Sequence, residues 1–374
     1  MLILCNSVFV VEETVLAHGD THLGAGSDGH NFNSTASSSA IFQGAPMMKA
    51  VLIDKFGGAE VLRIGEVERP MPGNGQVLVE VAATSVNRPD IVQREGKYPP
   101  PKGDSELLGL EVAGTVREVG TGVGRWSVGD RVMGLVGGGG YAEYAVAYAD
   151  HLMRIPESMG FEAAAGICEA YITAYLNVFM IGGPKDGDGV LLHGGGGGVN
   201  TAAVQLCRAL TPAAKILVTA SPGKLERVAA LGADQVIDYR SQDFAEEVRR
   251  VTDGRGVQVI LDHIGGAYLA SNMKSLAVGG RLVVIGVTSG IKAELNLGLM
   301  MVKRQQVIGS VLRSRPVPEK AAIVAEFSQR VLPLLAERKI VPLIHKVYRL
   351  DDVTQAHREM EASAHFGKIV LSLV

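Results

Sequence analysis

A run of five consecutive glycines limits the folds open to this chain more than any other feature of its sequence. The glycines occupy 194–198, between an apolar segment at 190–193 and a helical pattern of apolar residues over 202–210. A strand, a glycine turn and a helix in this order expose backbone N–H groups and a helix N-terminus, which together bind a pyrophosphate. Glycines also fill ordinary surface turns, so the run by itself leaves both interpretations open.

The residues after the glycine run repeat the alternation of strand and helix. Short β-branched strands that alternate with helices of about ten residues require a parallel sheet covered by helices. This pattern predicts a doubly wound, Rossmann-type domain over 172–315 that binds a dinucleotide. The predicted strands are 215–219, 235–237, 257–261 and 281–285, and the predicted helices are 224–231 and 244–251.

The segments on either side of this region follow another pattern. Closely spaced short strands without helices between them are typical of a compact, partly antiparallel barrel, and we predict such strands at 76–82, 111–116, 130–135 and 141–146. After position 315 the predicted elements are helices over 320–337 and 352–362 and strands over 346–348 and 368–371. Because they do not continue the alternation, we predict that they return to the first domain. That domain then comprises 48–171 and 316–374.

Charge and cysteine content narrow the function classes. The formal net charge is −3 and no Lys or Arg cluster is present, so we expect no nucleic-acid partner and a small-molecule substrate instead. The three cysteines have no paired spacing, which excludes a disulfide framework and a four-cysteine zinc lobe. Cysteines without paired spacing favour a reducing compartment, and we expect a cytoplasmic protein.

Residues 1–47 differ in composition from the rest of the chain. They contain no Lys or Arg and include a serine-rich stretch at 34–39, so we expect most of this leader to be disordered. Its lack of basic residues argues against an export or import signal. No apolar run reaches about 18 residues, and we therefore expect no membrane partner. We expect the folded region to begin at Met48.

Eight short segments carry a resemblance to a known family. The likeness extends over nearly all of 48–374, and the chain resembles the zinc-free quinone oxidoreductases of the medium-chain dehydrogenase/reductase superfamily. The resemblance implies an α/β protein with a GroES-like, partly open β-barrel catalytic domain and a Rossmann cofactor domain, and by family analogy a homodimer. The segments are SVNRPD (85–90), GKYPPP (96–101), GLEVAG (109–114), VGDRV (128–132), EAYITAY (169–175), ILDHIGG (260–266), LRSR (312–315) and FGKIVL (366–371).

The same resemblance bears on the metal content of the site. Zinc-dependent members of this superfamily place Cys, His and Cys ligands at the positions that match Asn87, Leu110 and Glu169. An amide and an isobutyl group cannot hold Zn²⁺, so we expect no metal. A quinone or an α,β-unsaturated carbonyl accepts hydride readily and needs mainly positioning, whereas alcohol oxidation loses its main electrostatic assistance without a metal. The resemblance therefore implies NADPH-dependent reduction of a quinone or enone.

Two residues are candidates for direct roles in catalysis. Related reductases carry a tyrosine facing the nicotinamide at the position of Tyr98, whose hydroxyl would hydrogen-bond the substrate carbonyl or donate a proton. The alternative is a tyrosine that packs against the cofactor or the proline loop. Asn87 would orient substrate or nicotinamide through its amide, or else form a turn ahead of Pro89.

Cofactor choice depends on the end of the second strand of the Rossmann unit. NAD-selective proteins place a carboxylate there, but after Thr219 this chain has none. Lys224 would supply a positive charge and Ser221 a hydrogen bond to a 2′-phosphate, which favours NADPH, although Lys224 has the alternative of a solvated helix residue. The implied cofactor contacts are Thr173, Gly195, Gly197, Gly198, Val199, Ser221, Lys224, Tyr239, Ile264, Gly286, Val287 and Leu312.

One expectation about the glycine turn and two alternative functions stay open at this stage. The third glycine of the family turn is replaced by Asn200, which we expect to weaken the helix-to-strand fit and to alter cofactor affinity. A 2-enoyl-thioester reductase shares Asn87 and Tyr98 with the quinone reductases. A non-enzymatic, crystallin-like protein that binds NADPH and RNA is the second alternative function, and the acidic charge balance argues against it.

Overall fold

The computed structural model describes residues 46–374. The expectation of a disordered leader over 1–47 therefore lies outside the described residues, apart from its last two positions. Within 46–374 the strands are β1 (Met47–Ile53), β2 (Leu62–Glu68), β3 (Gln76–Val86), β4 (Glu111–Val119), β5 (Arg131–Leu135), β6 (Tyr144–Tyr148), β7 (Leu152–Arg154), β8 (Gly189–His193), β9 (Lys215–Ala220), β10 (Gln235–Asp238), β11 (Val257–Asp262), β12 (Leu276–Val284), β13 (Gln306–Gly309), β14 (Ile344–Arg349) and β15 (Lys368–Ser372).

The helices lie between these strands in the chain. They include α1 (Arg88–Arg94), α2 (Phe161–Gly182), α3 (Gly198–Leu210), α4 (Leu225–Ala230), α5 (Phe244–Val251), α6 (Leu269–Ser275), α7 (Leu297–Lys303), α8 (Val317–Arg330), α9 (Leu332–Ala336) and α10 (Val353–Ala362).

The predicted parallel sheet is present. Six strands pair in the order β10-β9-β8-β11-β12-β13, and every pair is parallel. The sheet is buried on both faces, since Val190 and Leu192 of β8 join one apolar cluster while Leu191, between them, joins another. Such two-sided burial explains why the strands are continuous apolar runs rather than alternating ones. The predicted α/β fold class is confirmed.

A second, mixed sheet contains strands from both ends of the described chain. Its order is β14-β15-β3-β4-β5-β7, with β6 also paired to β3, and β15 runs antiparallel to β3. The C-terminal strand thus lies inside the sheet that the early strands build. Its apolar side chains, with those of β3 and β4, form the core of the barrel.

One predicted element differs in the structure. The helix expected over 320–337 is two helices, α8 and α9, which meet at Val331. Pro333 lies in the first turn of α9, where its missing N–H group costs no hydrogen bond but would interrupt a continuous helix. The proline therefore sets the break.

Helix α2 is long and apolar enough to cross a membrane by length and composition, and 72% of its most apolar 18-residue window is buried inside the protein. Its residues Ala170, Ala174 and Val178 pack in the same cluster as Met133 of the barrel sheet and Val190 of the parallel sheet. A core position between the two sheets accounts for its apolar composition.

Candidate functional site

The glycine turn joins β8 to α3 at the carboxyl edge of the parallel sheet. Gly194 has a φ of +83°, and its N–H and that of Gly195 donate to the Thr219 carbonyl of the neighbouring strand at 3.0 and 2.9 Å. A Cβ on Gly194, Gly195 or Gly196 would lie 2.3–2.6 Å from a neighbouring side chain. Glycine is therefore required by positive φ and close packing at Gly194 and by close packing at Gly195, whereas the neighbour of Gly196 is the flexible end of the Lys224 side chain.

The start of α3 leaves donors for a phosphate group. The first backbone bond of this helix runs from the Thr201 N–H to the Gly197 carbonyl, at 2.9 Å. The N–H groups of 198–200 precede that bond, and the helix dipole adds partial positive charge at the same end. A Cβ at Gly197 would meet only the Gly194 carbonyl, at 3.7 Å, so the turn is open on this side. These residues fit a dinucleotide pyrophosphate.

Asn200 stands where the family turn has its third glycine, and its side chain braces the turn. The buried amide donates from Nδ2 to the carbonyls of His193, at 2.6 Å, and Gly194, at 3.2 Å. These bonds tie the helix to the end of β8. They replace the close backbone approach that a glycine would allow with direct hydrogen bonds.

The structure brings most of the predicted cofactor residues to one edge of the sheet. Each follows the end of a parallel strand, and the strand ends of a doubly wound sheet form the dinucleotide crevice. Ser221 follows β9, Tyr239 follows β10, Ile264 follows β11, and Gly286 and Val287 follow β12, while Leu312 lies three residues beyond β13. Thr173 is apart from this edge, partly exposed on α2.

Lys224 contacts the chain segment that precedes β15. Its Nζ donates to the Ser363 carbonyl at 2.7 Å, and partial burial, followed by the charge of Arg227, lowers its pKa. Ser363 also accepts a hydrogen bond on Oγ from Arg88, at 3.3 Å. Ser363 thus links a residue next to the glycine turn with a residue of the barrel side. A 2′-phosphate at Lys224 would take the place of the Ser363 carbonyl.

The cleft is the space between the glycine turn and the barrel sheet, and a buried polar cluster lies on its barrel side. The Lys368 ammonium is 2.5 Å from Asn87 Oδ1 and 3.0 Å from Glu111 Oε1, and Asn87 Nδ2 donates to the same carboxylate oxygen at 3.0 Å. Ser85 donates to Glu111 as well. The Asn87 amide is therefore committed to Lys368 and Glu111 in this structure.

Glu169 lies beside this cluster on α2. Its backbone N–H donates to Glu111 Oε2 at 2.8 Å, while its own side chain is partly exposed. Burial in the cleft wall, followed by repulsion from Glu111, raises the pKa of Glu169 to about 8. A neutral carboxylic acid can therefore donate a hydrogen bond into the cleft at pH 7.

Tyr98 is half-buried and lies under a guanidinium group. The Arg313 Cζ atom is 5.3 Å from the centre of the Tyr98 ring. Arg313 is held by Nε and Nη2, which donate to the Gly137 carbonyl at 2.9 and 2.6 Å, and its buried Nη1 has no partner among the described residues. Burial, then repulsion from Glu169, raises the pKa of Tyr98, so its hydroxyl keeps its proton at neutral pH.

The residues at the three metal-ligand positions do not fit zinc. Leu110 is buried and offers no donor atom, and the Asn87 oxygen already accepts from an ammonium. A cation at that oxygen would also meet the positive charge of Lys368. Within residues 46–374, no three His, Cys, Asp or Glu side chains are placed to hold a metal ion.

Sequence reasoning missed Glu111, Lys368 and Arg313 as site residues. Each lies within a segment that carries the family resemblance, and Glu111 and Lys368 are charged residues in otherwise apolar strands. Glu111 and Lys368 open β4 and β15, and all three are more than nine-tenths buried. A charge at a strand position that should be buried is the signal that could have found Glu111 and Lys368, because such charges are paired. Arg313 is on no strand, and no such signal marks it.

Two family comparisons match parts of the chain. Residues 73–157 match the alcohol dehydrogenase GroES-like domain, and residues 231–371 match the family described as zinc-binding dehydrogenase. The matches cover both the barrel strands and the later strands of the parallel sheet.

Among curated proteins, the quinone oxidoreductase of Lama guanicoe is 34% identical over 338 residues, which cover 88% of this chain and 99% of that protein. The phthioceranic/hydroxyphthioceranic acid synthase of Mycobacterium tuberculosis is 34% identical over 321 residues, 85% of this chain. The chain spans only 15% of the length of that synthase.

Solved structures show the same architecture. A Pseudomonas syringae pv. Tomato DC3000 quinone oxidoreductase has a TM-score of 0.78 and 32% identity, and a mycobacterial protein complexed with NADPH has 0.78 and 30%. The enoyl reductase JamJ has a TM-score of 0.78 and 25% identity. Each similarity covers 87% of this chain and 99% of the other.

Proposed function

This chain belongs to the medium-chain dehydrogenase/reductase superfamily, and on that premise we propose that it is a zinc-independent NADPH:quinone oxidoreductase that reduces quinones or α,β-unsaturated carbonyls. That it is an oxidoreductase with a nicotinamide-cofactor fold follows from its quinone oxidoreductase homologues. The substrate class and the choice of NADPH are the proposal.

One observation carries the substrate class. The oxygen of Asn87, at the first metal-ligand position, accepts from the Lys368 ammonium instead of facing a metal. A site with these donors lacks the Lewis acid that assists alcohol oxidation, so an acceptor that is already activated is favoured. Bound NADPH would supply a hydride. The residues of the chain then have to orient the acceptor, exclude water and provide a proton.

The supporting residues have distinct roles. The glycine turn and the N-terminus of α3 would hold the pyrophosphate, while Ser221 and Lys224 would receive the 2′-phosphate. Tyr98 would hold its hydroxyl proton next to the acceptor carbonyl. The guanidinium of Arg313 over the Tyr98 ring restricts how that ring can move.

NADPH oxidation measured with a panel of quinones, enones and enoyl-thioesters, together with NADP⁺ reduction measured with alcohols, tests the proposal. We expect turnover with quinones or enones and none with alcohols. Faster turnover with NADH than with NADPH, or turnover of alcohols with NADP⁺ alone, contradicts it.

A 2-enoyl-thioester reductase is the second candidate. The structural similarity to the enoyl reductase JamJ and the sequence similarity to an acid synthase favour it. Such a substrate must bring a long acyl carrier to the mouth of the cleft. A kcat/KM for a short enoyl-thioester above that for every quinone of the panel would select this alternative.

The zinc-independent character gives a direct prediction. Because Asn87, Leu110 and Glu169 do not form a ligand set, purified protein should contain no stoichiometric zinc and keep its full activity in a chelator. Elemental analysis and chelator-treated assays measure both quantities. One zinc per chain, with activity lost on chelation and restored by zinc, contradicts the prediction.

We also propose that the protein is a homodimer. Within the described residues β13 has a strand neighbour on one side only, and exposed apolar side chains lie nearby, with Met301 74% and Val302 72% exposed. An unpaired strand beside an apolar patch is a typical pairing surface for a second copy.

Light scattering after size exclusion should give twice the chain mass, and Met301→Glu should give monomer. Met71→Glu, at a methionine before β3 that is 84% exposed, serves as the control. A wild-type monomer contradicts the proposal.

We propose a cytoplasmic location because the cysteines that the structure describes are unpaired thiols. Cys168 and Cys207 are buried and unpaired, and burial raises the pKa of each thiol, so both remain protonated and unreactive. Cell fractionation tests the location. Recovery in a secreted or membrane fraction contradicts it.

A further inference from the structure

A continuous chain of buried hydrogen bonds runs beneath the carboxyl edge of the parallel sheet. Thr219, His193 and Asp262 lie at the ends of β9, β8 and β11, and Asn272 of α6 bonds to the last two. His193 Nδ1 is 3.0 Å from Thr219 Oγ1, and His193 Nε2 is 2.7 Å from Asn272 Oδ1. Asn272 Nδ2 donates to Asp262 Oδ2 at 3.0 Å. Each of the four residues is at most 1% exposed, so bulk water cannot replace these bonds.

The donors and acceptors of this chain have one arrangement. Because Asn272 gives its N–H to a carboxylate, its oxygen faces His193 and can only accept, so His193 carries its proton on Nε2. His193 Nδ1 then accepts from the Thr219 hydroxyl, whose oxygen accepts in turn from the Gly194 N–H at 3.3 Å. Burial lowers the pKa of His193 to about 3, so the ring is neutral and keeps this tautomer at neutral pH.

Both ends of the chain reach loops that face the cofactor crevice. Gly194 opens the glycine turn, and at the other end Asp262 Oδ1 accepts from the N–H groups of Ile264, at 2.6 Å, and Gly265, at 3.3 Å. The two loops lie on opposite sides of the point where the strand order reverses, between β8 and β11. In a doubly wound sheet, the two halves of a dinucleotide lie on the two sides of this point. The chain therefore joins the adenosine side of the crevice to its nicotinamide side.

We infer that His193 is a positioning residue that couples the two halves of the cofactor site. A ligand that orders the glycine turn also fixes Thr219, and His193 transmits this order through Asn272 and Asp262 to the loop at 264–265. The second half of the cofactor then meets a loop that is already ordered, which costs less conformational entropy. The inference rests on the cofactor site of the proposed function and adds a coupling within that site.

Two amide side chains divide the chain at His193. In His193→Asn the short side chain reaches Thr219 but no longer reaches Asn272, so the link across the reversal point is broken. In His193→Gln the longer side chain brings an amide N–H to the place of Nε2, and the bond to Asn272 is kept. The ring of His263, which packs directly on Gly194, is unchanged in both variants.

Asn272→Leu breaks the same link from the other side. Its effect should equal that of His193→Asn, and the double variant should cost no more than either change alone, because both remove one connection.

Two ligands separate the coupling from damage to the turn. The fragment 2′,5′-ADP fills only the adenosine half of the site, whereas NADPH spans both halves. The Kd for NADPH, measured by fluorescence, should rise about tenfold in His193→Asn and in Asn272→Leu, while the Kd for 2′,5′-ADP stays unchanged. His193→Gln should bind both ligands like the wild type.

His151→Asn is the matched control for these variants. His151 is also a buried histidine, 2% exposed, and its Nε2 donates to the Val317 carbonyl at 3.0 Å, on the barrel side and outside the crevice. The change should lower the Tm, since it removes a buried hydrogen bond, and should leave the Kd values for both ligands as they are.

Hydrogen exchange measures the coupling without turnover. In the wild type and in His193→Gln, 2′,5′-ADP should slow the exchange of the Ile264 and Gly265 amide hydrogens several-fold, although the fragment does not extend to that loop. In His193→Asn and Asn272→Leu the fragment should leave this exchange unchanged. A purely structural role for His193 would change the exchange rate of the free protein but not its response to the fragment.

The outcomes are distinct. An equal increase in the Kd for both ligands overturns the inference, because His193 would then support the glycine turn alone. An unchanged Kd for NADPH in His193→Asn, or a wild-type loop that does not respond to 2′,5′-ADP, overturns it as well. If His193→Asn does not fold, Asn272→Leu decides by the same measurements.

Failure of the proposed function gives a different result. If NADPH binds but no acceptor is turned over, the proposed function fails, while ligand binding and hydrogen exchange still decide the coupling. If the wild type binds NADH and not NADPH, the proposed cofactor choice fails, and AMP with NADH replaces the ligand pair. Absence of binding of both cofactors overturns the inference together with the proposed function.

Discussion

Turnover of an enone should fall by about 10²–10⁴-fold in Tyr98→Phe, while turnover of a quinone should change by only a few-fold. The substitution keeps the ring under Arg313 and removes only the hydroxyl. A hydroquinone anion takes its proton from solvent, whereas the more basic enolate left by an enone gains from a positioned donor. Steady-state kinetics with one substrate of each class measure the difference.

Tyr144→Phe is the matched control for this prediction. Its hydroxyl donates to Glu80 on the barrel surface, at 3.4 Å, outside the cleft. We expect both substrate classes to be unaffected by that change. If Tyr98→Phe also costs both classes less than a few-fold, the tyrosine only packs in the cleft, and its assignment as a proton donor is wrong.

The KM for NADPH should rise by about 10–150-fold in Lys224→Ala, with little change in the KM for NADH. Loss of a charge-assisted hydrogen bond costs about 1.5–3 kcal/mol, and each 1.4 kcal/mol corresponds to about tenfold in affinity. Kinetics with both cofactors measure the ratio. Lys215→Ala, at the opposite end of β9, should change neither constant.

The contact between Lys224 and Ser363 gives this prediction an alternative outcome. If Lys224 only fixes the segment before β15, through its bond to the Ser363 carbonyl, then the KM values for NADPH and NADH should rise together. Equal increases would therefore show that Lys224 does not recognise the 2′-phosphate. Selectivity for NADPH would then have to come from Ser221 or Tyr239.

The sequence predicted the parallel sheet because the pattern of that sheet is local. Each strand is a short apolar run between helices, and the glycine turn after β8 needs only neighbouring residues to be recognised. The helix over 320–337 was predicted as one element because its apolar period continues through Val331. Only the position of Pro333 within a new first turn distinguishes the two helices.

The buried cluster could not be derived from the sequence in the same way. Lys368 and Glu111 are 257 residues apart, and they meet because β15 pairs with β3 and β3 pairs with β4. No periodicity or spacing specifies that arrangement of three strands. Tyr98 and Arg313 likewise lie in different parts of the chain and come together only through the cleft.

The place of β15 has a consequence for synthesis of the protein on the ribosome. This strand lies between β14 and β3, and the Gly367 N–H just before it donates to the Gly196 carbonyl of the glycine turn at 3.0 Å. Until residues 368–372 leave the exit tunnel, the end of β3 at Ala83–Val86 has an open edge and the turn lacks this contact. The parallel sheet can close earlier, because all of its strands precede β14. A nascent chain should therefore depend on chaperones longest at the barrel side, where an unpaired strand edge invites aggregation.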